Sequence, residues 1–148
     1  MILRSNKEPL SDIIRDVKKY TATQIVKAIE ENENIHWRGF KHEGNASFAA
    51  FGESETTGNL AVCAGTVGPG ALHLINGLYN AKKARTPVLA ITGQIPRELQ
   101  GTNYFQEVDL KKVFDDICTY QAIIRTPAEA PLVIQKAFKI AINQRTVV

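Results

Sequence analysis

Two short apolar runs constrain this chain more than any other feature: "NLAVCAG" (59–65) and "PVLAITG" (87–93). Each has the length of a buried strand and ends in glycine, and a helix-patterned stretch, Pro69 to about Ala84, separates them. Two strands joined through a helix read as a right-handed parallel unit. The surrounding pattern extends it. Glu43 to about Thr57 reads as a helix stopped at Gly58. Beyond the second run come a short helix in "VDLKKVFDDI", a strand in "CTYQAIIR", a capped helix in "TPAEAPLVIQKAFKIAINQ" and the start of a strand in "RTVV". In that last helix Thr126 reads as the cap and Glu129 as the far half of a capping box. The expected fold is α/β: three layers, α/β/α, around a mostly parallel sheet.

The first third reads differently. Leu10, Ile13, Ile14 and Val17 recur at helical spacing, as do Ile25, Val26 and Ile29. "IHWRGF" (35–40) alternates like a short strand, which makes His36 structural. With no repeat or linker, residues 1–148 are expected to form one domain.

Composition narrows the function. The chain is 44% hydrophobic and 22% charged, with a net charge of +3, and its basic residues are scattered. That pattern argues against a nucleic-acid footprint. No apolar run approaches the ~20 residues of a membrane span, and the N-terminal stretch lacks a signal-peptide core. Cys63 and Cys118 each lie in an apolar stretch, as free thiols of a reducing compartment do, and neither has metal-ligand spacing with a histidine. A cytoplasmic protein with no metal ligands of its own is the expectation.

On parallel sheets, ligands bind beyond the carboxyl ends of the strands. That edge here comprises residues 41–43, 65–70 and 93–107. "GTVGPG" (65–70) joins a strand to a helix, and it reads either as a tight turn or as an anion-facing loop. It lacks both the GxGxxG spacing and the Lys-Ser/Thr of phosphate loops. His73 lies one turn further on, as a structural hydrogen-bonding group or a site residue. "GTNYFQEVD" (101–109) is either a surface connection whose Phe105 enters the core or a pocket wall on which Gln106 offers a donor and an acceptor. Glu43 shares its helix face with Ala46, Ser47 and Ala50, an odd place for an acid.

The string "HEGNASFAAFGESETTGNLAVCAGTVGPGALHLINGLYNAKKARTPVLAITGQIP…FQE" resembles the N-terminal, pyrimidine-binding domain of thiamine diphosphate-dependent enzymes. Within them it looks most like the pyruvate oxidase and pyruvate:quinone dehydrogenase group, with acetolactate synthase a more distant relative. The resemblance covers about residues 20–148. It implies that Glu43 accepts a hydrogen bond from N1′ of the aminopyrimidine, favouring the tautomer whose 4′ nitrogen takes the C2 proton. The small residues beside Glu43 would then admit a flat ring. Burial would raise the Glu43 pKa and its helix N-terminus would lower it, so the sign stays open. The resemblance further places Pro69, Gly70 and His73 beside the cofactor, and Phe105 and Gln106 beside the substrate across a subunit boundary.

Departures from the family pattern set further expectations. Nothing here resembles the GDG…N segment that holds Mg²⁺ and the diphosphate, or the middle domain that holds FAD in full-length relatives. The Gly- and Pro-bearing turn that opens the family domain is missing, so the first strand is lost or rebuilt from "MILRS", and the last is cut at Val148. Two classes of function follow. One is a pyrimidine-binding module that works only as a homo-oligomer or with a separate diphosphate-binding chain, inactive and sticky alone. The other is a non-catalytic truncated paralogue or gene remnant acting at most as an interaction domain.

Overall fold

A computed structural model describes residues 36–148. The helices expected over residues 10–17 and 25–29, and the first strand, lie outside them. The described elements run α1 (Glu43–Thr57), β1 (Ala61–Gly65), α2 (Pro69–His73), α3 (Ile75–Ala84), β2 (Val88–Thr92), α4 (Leu110–Val113) and α5 (Ala130–Gln144), with a 3₁₀ turn at Arg97–Leu99.

β1 and β2 pair in parallel, with Ala61 opposite Val88 and Gly65 opposite Thr92. Val147 then joins the free side of β2 by a parallel bridge to Val88, and Val148 N–H donates to Val88 O at 3.0 Å. Side chains alternate across this sheet as the strand period requires. Ala61, Cys63, Val88 and Val147 pack on one side with Ala50, Leu74 and Leu78. Val62, Leu89 and Val148 pack on the other with Ala137 and Ala141 of α5. The three-layer α/β/α expectation holds.

The small-residue face of α1 has a structural cause. Ala46, Ser47 and Ala50 are 1%, 0% and 0% exposed. Facing them, Gly77 of α3 comes so close that a Cβ there would lie 2.4 Å from Ser47 Oγ and 2.5 Å from Phe48 N. The stripe is therefore a helix–helix seam, not an opening for a flat ring. At the far end of α1, the Ser54 hydroxyl reaches both Asn59 O (2.6 Å) and Pro87 O (2.8 Å), tying the helix to the entry of β2. Gly58 ends α1 in the left-handed conformation, φ 71°, and returns its N–H to Ser54 O.

Four expectations change. The described part of the 35–40 strand, including His36, is irregular, and no backbone hydrogen bond among the described residues ties it to β1 or β2. "CTYQAIIR" is also irregular. Thr119 N–H reaches Val147 O at 3.0 Å, but Ile123 and Ile124 are 58% and 45% exposed. Apolar β-branched residues favour a strand only where a neighbouring strand exists to pair with them. The helix after β1 is interrupted at Leu74, whose N–H bonds to Ala71 O, three residues back. The last helix begins at Ala130, and Glu129 Oε1 accepts from the backbone of Arg125 and Thr126, so the capping contact forms one turn ahead of the helix.

The seam makes a paired prediction. Gly77→Ala should destabilise the fold by about 1–3 kcal/mol through overpacking. Gly52→Ala, in mid-α1 with nothing within 4 Å of its added Cβ, should stabilise it by about 0.5–1 kcal/mol. Urea unfolding of both variants checks the opposite signs.

Candidate functional site

Three segments converge at the carboxyl ends of β1 and β2, and the Gly65–Gly70 turn is where they meet. Gly93 extends the ladder by donating to Gly65 O at 3.1 Å. Gly68, φ 60°, lies under the 101–109 connection, and a Cβ there would meet Gln106 O at 2.6 Å. Gly70 lies beside α1, and a Cβ there would fall 2.9 Å from Glu43 Oε1 and 2.3 Å from Thr66 Oγ1. Each approach is open only to a residue without a side chain.

Glu43 occupies the first position of α1. Its side chain is 29% exposed. Oε2 accepts a hydrogen bond from His73 Nδ1 at 3.0 Å. The pKa of Glu43 is lowered, first by this bond from His73, then by the carboxylate's bond to its own backbone N–H, with burial opposing. The sign left open by the sequence is thus downward, and Glu43 is an ionised acceptor at neutral pH.

His42 is the N-cap of α1: its Nδ1 accepts from Gly44 N–H at 3.1 Å. Its ring also stacks on His73, with centroids 4.3 Å apart and planes at 29°. The donor atoms of His42, Glu43 and His73 all lie within 4.8 Å of one another. That is the composition of a metal-ligand set, which sequence spacing did not reveal because His73 is 30 positions from Glu43. The geometry favours a hydrogen-bonded group instead. His42 Nδ1 is engaged in capping, the two rings stack face to face, and the positive end of α1 repels a cation.

The remaining expected residues separate. Pro69 opens α2 at the surface, next to the buried Gly70. Gln106, at φ 65°, packs on Gly68. Phe105 is 78% exposed, so it does not enter the core. Glu107 is a loop fastener: its oxygens accept from the backbone of Gly101 and Tyr104. Cys63 and Cys118 are free, and burial pushes both thiols up to about 12, far from nucleophilic at neutral pH. A groove of about 910 Å³ between β2, α5 and the 118–125 stretch is lined by Ile91, Ile123, Val133 and Ile134 among others, and Glu43, Pro69, Gly70 and His73 do not border it. No helix among the described residues is long and apolar enough to cross a membrane.

Residues 17–113 match the family described as thiamine pyrophosphate enzyme, N-terminal TPP binding domain. Among curated relatives, a 42.6 kDa uncharacterized protein in the isoamylase 3′ region of Pseudomonas amyloderamosa is 41% identical over 83% of this chain and 31% of its own length. An acetolactate synthase of Arthrospira platensis is 39% identical over 82% of this chain and 21% of its own. The chloroplastic acetolactate synthase 1 of Zea mays is 35% identical over 89% and 21%. The chain thus spans between about a fifth and a third of the length of these relatives.

The lowered Glu43 pKa fixes a pH dependence. A carboxylate whose folded pKa lies below its unfolded value adds stability that is present above the unfolded value and lost as pH falls through the folded one. The stability advantage of the wild type over Glu43→Gln is expected to be constant near neutrality and to shrink below the ordinary glutamate range. Urea unfolding in steps from about pH 7 to about pH 3 measures it. A difference independent of pH would show that Glu43 contributes no such linkage.

Proposed function

The chain belongs to the thiamine pyrophosphate enzyme N-terminal domain family, and from that premise we propose that it is the pyrimidine-binding module of an enzyme acting on 2-oxo acids. Glu43 is the residue that activates the cofactor, and the diphosphate and Mg²⁺ are gripped by another domain or chain. Thiamine diphosphate, when bound, supplies a carbon nucleophile and an electron sink for 2-oxo acid decarboxylation. The pyruvate oxidase-like motifs and the acetolactate synthase relatives share that chemistry, so the reading stops at this substrate class.

One observation carries the reading: an ionised carboxylate at a helix N-terminus keeps one oxygen on His73 and turns the other toward Gly70, where the turn carries no side chain. A planar ring with an N–H donor matches that oxygen. Gly70 adds no side chain beside that oxygen, and the exposed, apolar Pro69 is its neighbour in the turn. His73 keeps the carboxylate from swinging into solvent. Gln106 has its backbone over Gly68 of the same turn, and its side-chain amide would donate an N–H to a substrate carboxylate or carbonyl brought there. Phe105 beside it is free to contact a second subunit.

The module alone grips little of the cofactor. The aminopyrimidine fragment offers few atoms for contact, so it is expected to bind weakly, in roughly the millimolar range. Nuclear magnetic resonance titration of the chain with that fragment is expected to shift the amides of Glu43, Gly70 and His73, and Glu43→Gln to abolish the response. The chain alone is expected to show no pyruvate turnover with thiamine diphosphate, Mg²⁺ and FAD supplied. Shifts confined to other residues, or an undiminished response in Glu43→Gln, would refute the assignment.

A further inference from the structure

We propose that His42 is a positioning residue: its ring, stacked on His73, holds the His73 Nδ1–H on Glu43 Oε2 and so leaves Oε1 as the oxygen presented to the Gly70 turn. This rests on the reading of Glu43 as the cofactor-facing carboxylate.

Three observations carry it. Capping a helix needs only a small acceptor, and Ser, Thr, Asp or Asn normally supplies one. Here an imidazole does that work through Nδ1, 3.1 Å from Gly44 N, and the rest of the ring is more than a cap requires. The surplus ring lies 4.3 Å from the His73 ring, at 29° to it. Finally, the backbone is shaped around the ring. A Cβ at residue 44 would lie 2.9 Å from His42 Nδ1, 3.1 Å from His42 Cε1 and 3.3 Å from His73 O. Gly44 thus gives the stacked imidazole its room.

The stack matters because His73 has little else to orient it. Its side chain is 44% exposed. The direction of its Nδ1 depends on the plane of the ring, and a neighbouring ring is what fixes that plane. The charged and titratable groups acting on the Glu43 carboxylate are His73 and His42, together with the positive end of α1. Loss of ring alignment therefore reaches Glu43 through a single hydrogen bond.

The test uses the full chain without cofactor. Long-range ¹H–¹⁵N spectra of the wild type report which His73 nitrogen carries the proton, and ¹³C-carboxyl titration reports the Glu43 midpoint. His42→Asn keeps a capping acceptor and removes the ring. His42→Phe keeps a ring and removes the cap. The wild type is expected to show His73 protonated on Nδ1, and His42→Phe to retain that preference, with a Glu43 midpoint raised by loss of the His42 charge yet below that of His42→Asn. His42→Asn is expected to lose the Nδ1–H preference and to raise the Glu43 midpoint toward that of a solvated glutamate. Wild-type His73 protonated on Nε2 would overturn the proposal, whether or not the variants fold. So would a folded His42→Asn with unchanged signatures, or a folded His42→Phe that loses the His73 Nδ1–H preference. None of these readouts involves thiamine diphosphate, so a failure of the aminopyrimidine titration leaves them intact and counts against the functional reading alone.

Discussion

Close approach of bare backbone at the Gly65–Gly70 turn is the constraint on which the site depends. β1 must stop, reverse and start α2 while leaving room for what borders the turn: Glu43 of α1 at Gly70 and Gln106 at Gly68. A side chain at either glycine would push a neighbour away by more than a bond's tolerance. The sheet sets where the turn lies, since Gly93 continues the ladder from Gly65. Site and core are thus one piece of packing.

The electrostatics follow from the same geometry. A carboxylate half out of water would ordinarily lose little on burial and gain little from a helix end. Here a histidine donor adds to the helix end, and the balance falls toward the ionised form. The two histidines divide the work. One caps the helix that carries the acid, and the other bonds the acid itself.

Much of the fold could be read from the chain. Gly58 and the run from Glu43 predict α1, and the two apolar runs predict β1, β2 and their parallel pairing. The failures share a cause: they depend on partners that sequence order does not reveal. Residues 36–40 and 118–125 have strand chemistry but find no ladder partner among the described residues. The small residues of α1 looked like clearance for a ligand, yet Gly77 on α3 fills that face. The convergence of Glu43, Gly70 and His73 was reachable through the family resemblance, whereas the stacking of His42 on His73 was not, because a ring–ring contact between separate helices leaves no periodicity.

Ser54 gives the seam a further meaning. Its hydroxyl clasps the carbonyls of Asn59 and Pro87 at the opposite end of α1 from Glu43. Between those two residues the helix advances about 16 Å at ~1.5 Å per residue. A rod anchored at its tail against the foot of β2 delivers its head at a set height above the strand tips. The acid's elevation is therefore gauged from the floor of the sheet, and a slip at the tail would be transmitted undiminished to the rim.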